Sequence, residues 1–198
     1  VRVSVILAHP GEESFCGAIA GVCVNTLRTF GHEVFYHDLY REKFDPVLPW
    51  GEVARDACLD PVIKRHCDEI SEAGGIIIVH PNWWGQPPAI LKGWVDRVIR
   101  AGVAYRFAEG DSGEGLPVGL LKARSALVFN TSNTPSERER LVFGDPLQAL
   151  WQSCIFNLCG VENFYRKMYG VVVTSSPDQR AKWLEDVRET VSRAYCIG

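Results

Sequence analysis

Hydrophobic positions along this chain keep two rhythms: short β-branched runs, and longer stretches with apolar residues at helical spacing. Residues 2–8 form the first run and predict a strand. After a loop at 9–14, Phe15, Ile19, Val22, Thr26 and Phe30 share one helical face, which Gly31 is expected to end. Residues 33–37 predict a second strand. A Pro-rich excursion follows, then a helix from about Asp60 and Pro61 with Ile63, Cys67 and Ile70 inward. Ile76, Ile77, Ile78 and Val79 predict a strand buried on both faces. Pro88 opens the next helix, with Ile90, Leu91, Trp94, Val95 and Val98 along it. Residues 108–119, rich in Gly and acids, predict an exposed loop. A fourth strand is expected at 125–129, followed by a polar loop at 130–135. From Pro146, a helical stripe uses Leu147, Leu150, Trp151, Cys154, Ile155 and Leu158. A fifth strand is expected at 169–173, and a last helix from about Pro177 with Trp183, Leu184, Val187 and Val191 inward.

Five strands alternating with helices predict a single α/β domain, a parallel sheet with helices on both faces, because right-handed crossovers place them there. In such open sheets ligands bind beyond the carboxyl ends of the strands, where strand order reverses. The loops at 9–14, 80–87 and 130–136 are then expected to meet. The middle one carries Pro81, Asn82, Trp83, Trp84 and Gly85, whose aromatic rings suit the wall of a flat ligand; a hydrophobic plug over the core is the alternative. In the first, Ser14 stands at a helix N-terminus, which favours an anion, and His9 is within reach of the same group. A plain N-cap and a loop hydrogen bond are the competing roles. The third offers Asn130, Thr131, Ser132 and Asn133, either an ordinary capped turn or donors for the polar edge of a heterocycle. Neither a GxGxxG nor a GxxxxGKS/T pattern occurs.

Charge narrows the partners. A formal net charge of -3, with no Lys/Arg run, argues against a nucleic-acid surface. No apolar run approaches the ~20 residues that span a bilayer, so no membrane insertion is expected. The opening residues are expected to be a core strand, not a signal peptide. Seven cysteines without a CxxC pair predict a reduced, cytoplasmic protein with neither a disulfide frame nor a metal site.

Taken in order, several groups of residues carry a resemblance. They are His9, Pro10, Ser14 and Phe15; Gly31 to Val34, leading through Asp38, Leu39 and Tyr40 to Phe44, Asp45 and Pro46; Pro81, Trp83, Trp84 and Gly85; and Phe143, Gly144 and Asp145. Most specific is the run Pro88, Ala89, Ile90, Leu91, Lys92, Gly93, Trp94, with Val95 to Val98 after it. Over nearly its whole length the chain resembles the flavodoxin-like NAD(P)H:quinone oxidoreductases, which include the DT-diaphorases, the modulator-of-drug-activity quinone reductases and the ancillary subunits of potassium-efflux systems. The resemblance implies a doubly wound five-stranded parallel sheet of order 2-1-3-4-5. It also implies a tightly bound flavin, hydride transfer from NAD(P)H through flavin N5 to a quinone-like acceptor in two steps, and a homodimer with the site at the subunit interface.

By the same resemblance His9, Ser14, Phe15, Cys16 and Ala18 would hold the phosphate and ribityl region. Pro81, Asn82, Trp83, Trp84 and Gly85 would line the isoalloxazine, and Asn130, Thr131, Ser132 and Asn133 its pyrimidine side. Arg180 falls about where FAD-binding members place an adenosine-contacting Arg, which favours FAD over FMN. Some positions depart from the family. Cys16 stands for an Asn, and residues 130–133 stand for Thr-Thr-Gly-Gly. Phe143 stands for a His, and residues 134–142 contain no Tyr, so the family's charge-compensating pair does not carry over. Glu137, Arg138 and Arg140 are the candidate substitutes, and the catalytic residues are left unassigned. Two other functions stay open: a flavodoxin-like electron carrier, for which -3 is a weak docking charge, and a regulatory partner of a transporter.

Overall fold

The computed structural model describes residues 1–111 and 113–195. Strand β1 (Arg2–Leu7) leads through the first loop to helix α1 (Phe15–Thr29) and strand β2 (Glu33–Asp38). Helix α2 (Pro61–Glu72), with Asp60 capping it, returns to β3 (Gly75–Pro81), and α3 (Ala89–Val98) follows the tryptophan turn. Two-residue strands β4 (Tyr105–Arg106) and β5 (Val118–Gly119) pair as a small antiparallel ribbon. Strand β6 (Ser125–Ser132), helix α4 (Ser136–Phe143), helix α5 (Pro146–Gln148, continuing with π-helical turns over Ala149–Phe156), β7 (Asn163–Gly170) and α6 (Pro177–Tyr195) complete the chain.

The main sheet is parallel in the order β2-β1-β3-β6-β7. Leaving out the ribbon, this is the expected 2-1-3-4-5. Every residue of β3 is buried, and its alternating side chains divide two cores. Ile76 and Ile78 pack with Leu91, Trp94 and Trp151 on one face; Ile77 and Val79 pack with Ile19, Leu27 and Val187 on the other.

Several boundaries differ from the sequence expectation. β6 runs on through Asn130, Thr131 and Ser132, because Pro81 of β3 and Gly170 of β7 continue the ladder beside them. The fifth strand spans residues 163–170, not 169–173; as an edge strand only partly covered, it tolerates Arg166 and Lys167, while Val171 to Val173 lie past its end. The stretch expected as a loop at 108–119 ends in strand β5. Helix α4 is short and mostly exposed, with no apolar stripe to announce it. In α1 the buried face is carried by Cys16, Ile19, Ala20, Cys23, Val24, Thr26 and Leu27, and Phe30 is exposed: small residues face the sheet where larger ones were expected. The π-helical widening shifts the register of the helix after Pro146, so Trp151, Ile155 and Phe156 are buried while Cys154 and Leu158 face out.

Candidate functional site

A cavity of about 550 Å³ opens at the carboxyl ends of β1, β3 and β6, where strand order reverses. Its first wall is His9, Ser14, Phe15 and Cys16. Both polar side chains there make local bonds: Ser14 Oγ accepts from Gly17 N–H at 3.1 Å as the N-cap of α1, and His9 Nδ1 accepts from Gly11 N–H at 3.0 Å. These pre-order the loop around the helix N-terminus. Cys16 Sγ lies 3.1 Å from Thr131 Oγ1, and burial pushes its thiol up to about 12, which makes it a neutral wall group and not a nucleophile.

The second wall is Pro81, Asn82, Trp83 and Trp84. Trp83 and Gln86 exchange backbone hydrogen bonds of 3.1 and 2.9 Å around a two-residue turn. Its central residues, Trp84 (φ 56) and Gly85 (φ 70), are both left-handed, the geometry of a type I′ hairpin turn. For a tryptophan this conformation costs roughly 1 kcal/mol, and the Trp84 side chain gains no burial in return, being 100% exposed. Asn82 N–H donates to Thr131 O at 2.7 Å, and its Nδ2 faces Met168 Sδ at 3.8 Å. Asn82 Oδ1 is buried without any hydrogen-bond partner. An unpaired buried acceptor costs about 1–3 kcal/mol, and a ligand N–H meeting it would recover that cost.

The third wall comes from Thr131, Ser132, Asn133 and Thr134, closed by Val172 and Val173. Ser132 Oγ accepts from Thr134 N–H at 3.0 Å, and Asn133 Oδ1 accepts from Val173 N–H at 3.0 Å, so these polar side chains shape the loop as well as lining it. Thr134, Val172 and Val173 are additions to the expected set. Both valines fall in the stretch 169–173 where the sequence predicts a strand, and the structure places them past the end of β7.

Four expected residues do not join the lining. Ala18 is exposed on α1, one turn along from the cavity. Gly85 is in the turn but packs behind it, where a Cβ would stand 2.7 Å from Pro146 Cγ. Arg180 is not in the lining: its Nη1 donates to Ser175 O at 2.7 Å and Ser175 Oγ at 3.1 Å, tying α6 to its own leading loop. Asn130 is fully buried in a polar relay beneath the cavity floor. There Arg166 Nη1 donates to Asn130 Oδ1 at 2.9 Å, Asn130 Nδ2 meets His80 Nε2 at 2.8 Å, and Trp151 Nε1–H also donates to His80 Nε2 at 3.0 Å. His80 Nδ1 lies 2.8 Å from Pro81 O. Burial pulls the His80 pKa down to about 4, against the Pro81 carbonyl and helped by Arg166, so the ring is neutral at physiological pH.

Glu137, Arg138 and Arg140 are exposed on α4 and lie outside the lining. On the same helix Glu139 is buried and its Oε1 has no hydrogen-bond partner. The run from Pro88 to Val98, the most specific sequence signature, is a packing element. Gly93 lets α3 approach Pro46, whose carbonyl oxygen would stand 2.2 Å from a Cβ there. Trp94 Nε1–H donates to His66 Nδ1 at 3.1 Å, and buried Arg97 grips Glu52 at 3.0 and 2.7 Å and Asp45 O at 2.7 Å.

Away from the cavity, His37, Glu42 and His66 bring possible metal-ligand atoms within 4.8 Å of one another. The Trp94 donor places the His66 proton on Nε2, facing Glu42, and that proton occupies the lone pair a metal would need. His37 meets Glu42 through Nδ1 and Glu69 through Nε2. Burial opposes protonation of His37, yet the two carboxylates outweigh it and raise its pKa. The cluster is a proton-filled clip between β2 and α2. Among the described residues, six cysteines are free thiols; Cys196 lies outside those residues. No helix among the described residues is long and apolar enough to cross a membrane.

Known proteins share both sequence and fold with this chain. A family model described as flavodoxin-like fold matches residues 1–192. A protein of Haemophilus influenzae named as an uncharacterized NAD(P)H oxidoreductase is 36% identical over 173 residues, covering 84% of this chain and 82% of its own. NAD(P)H dehydrogenase [quinone] 1 of Rattus norvegicus is 28% identical over 98% of this chain and 77% of its own. The crystal structure of Smu.1420 from Streptococcus mutans superposes with a TM-score of 0.84 at 30% identity, covering 98% of this chain and all of the other. The chain belongs to the flavodoxin-like family of NAD(P)H oxidoreductases.

Proposed function

We propose that this oxidoreductase binds a flavin in the cavity at the switch point and uses it to pass a hydride from NAD(P)H to a quinone-like acceptor in two successive half-reactions. The observation that carries the reading is the Asn82–Gly85 wall: an aromatic turn held in a costly conformation beside a buried amide oxygen without a partner. A flat heterocycle with both apolar faces and N–H groups fits that chemistry. When bound, a flavin supplies a site, N5, that accepts and returns a hydride.

The chain's own residues place and shield the ring. Trp83 and Trp84 wall it, and the turn's central N–H groups, which the Trp83–Gln86 ladder does not use, are free to meet a carbonyl edge. Thr131, Ser132 and Asn133 present hydroxyl and amide groups at another side of the cavity. Fixed donors of this kind stabilise negative charge that develops on reduction. The α1 N-terminus beside His9 and Ser14 favours a phosphate. FAD is proposed first, on the resemblance at Arg180 alone, with FMN as the alternative; releasing and identifying the bound flavin decides between them. The reading extends to a cytoplasmic location and to a homodimer; for the homodimer the exposed Leu141, Val142 and Phe143 at the end of α4 offer an apolar face.

The test is a titration of the apoprotein with FMN and with FAD, followed by flavin fluorescence. Wild-type protein should bind one of them tightly. The double variant Trp83→Ala, Trp84→Ala should weaken binding by a factor of about 100, roughly 3 kcal/mol. A wild-type protein that takes up neither flavin overturns the reading.

A further inference from the structure

We propose that Arg166 is a positioning residue for the cavity, touching no ligand itself and holding the Asn82–Gly85 wall from behind along two routes. This rests on the flavin reading of the same site. Arg166 stands on β7, with its side chain 6% exposed, and all of its contacts run inward. The guanidinium donates through Nε to Gln148 Oε1 at 3.0 Å, through Nη1 to Asn130 Oδ1 at 2.9 Å, and through Nη2 to the Asp145 carboxylate.

The first route is a relay whose polarity Arg166 sets. A guanidinium can only donate, so the Asn130 oxygen must face it and the Asn130 NH₂ must face His80 Nε2. That nitrogen is then an acceptor, which agrees with the Trp151 indole N–H donating to it. The His80 proton therefore sits on Nδ1 and is donated to Pro81 O. Pro81 is a cavity residue and the last of β3 before the turn. Arg166 thus fixes the Asn130 amide orientation, and together with the Trp151 indole that amide fixes the His80 tautomer and the carbonyl on which the wall begins.

The second route is mechanical. Asp145 sits at φ 49, a left-handed position that an aspartate holds at some cost. Its carboxylate is gripped by Arg166, and Pro146, the next residue, is packed so closely against Gly85 that no Cβ fits there. Gly85 is one of the two left-handed residues that shape the tryptophan turn. The routes reach the two ends of the segment Pro81 to Gly85, and both start at Arg166.

The experiment compares wild type with Arg166→Met, Asp145→Asn and Lys167→Met. The last breaks the pair between Lys167, on the same strand, and Asp186 of α6, away from both routes. Melting temperature and flavin dissociation constant are measured for each, and the His80 tautomer is read in the apoprotein by long-range proton–nitrogen NMR. The wild type should show His80 protonated at Nδ1. Arg166→Met should weaken flavin binding by about tenfold or more, and Asp145→Asn, which keeps the Asn130 relay, by a smaller factor of about three. Lys167→Met should lower the melting temperature without moving the dissociation constant.

Should Arg166→Met fail to fold, Asp145→Asn against Lys167→Met makes the same comparison. Flavin affinity unchanged in the folded Arg166 or Asp145 variants, whatever their melting temperatures, overturns the proposal. So does a wild-type His80 protonated at Nε2. A wild type that binds no flavin at all overturns the functional reading, and this role with it.

Discussion

Asn82 shows how stability and binding oppose each other within one residue. Its Oδ1 is buried and unpaired in the free protein, so replacing the amide by an apolar side chain of similar size removes a cost. Asn82→Leu is expected to stabilise the apoprotein by about 1 kcal/mol and to weaken flavin binding about tenfold. Thermal melts of the apoprotein and a flavin titration check the two halves. A variant that gains stability and binds flavin as well as wild type would remove Asn82 from the site. At this scale the sequence was most legible where chemistry and position coincide: Ser14, Trp83, Thr131 and Asn133 all reach the cavity wall. Asn130 lies outside the lining because its side chain alternates inward along β6, a consequence of strand register that a polar run of four residues does not reveal. Val172 and Val173 were hidden by their own β-branched character.

Among the elements, α3 carries the most distinctive residues of the chain and none of the cavity lining. Its signature is explained by packing: Gly93 for close approach to Pro46, Trp94 for the His66 bond, and Arg97 for the buried Glu52 pair. Removing one partner of such a pair leaves an uncompensated buried charge, so Arg97→Met is expected to cost about 3–5 kcal/mol. Denaturant melts measure that loss, and the flavin affinity of the remaining folded protein should stay near the wild-type value. A selective loss of binding without a loss of stability would place α3 in the site after all. The elements that sequence periodicity missed have a common cause. Strand β7 and helix α4 bury too little of themselves to impose a pattern, and the π-helical turns at Ala149–Phe156 shift a pattern that was present.

Across the whole molecule, the parallel order β2-β1-β3-β6-β7 brings three loops from distant parts of the chain to one edge, and β3 packs into a core on each face behind it. This much followed from strand–helix alternation and the handedness of crossovers. What alternation could not show is the support behind the site. The relay from Arg166 through Asn130 to His80 joins residues 36 and 50 positions apart, contacts that no local pattern encodes. The central claim is that a flavin held here is reduced by a nicotinamide and reoxidised by a quinone. Its most direct test is an anaerobic titration of the flavin-loaded protein followed by its visible absorbance. A stoichiometric amount of NADH or NADPH should bleach the flavin band, and a quinone added after the nicotinamide is removed should restore it. A bound flavin that neither nicotinamide reduces, or a reduced one that no quinone reoxidises, would contradict the account.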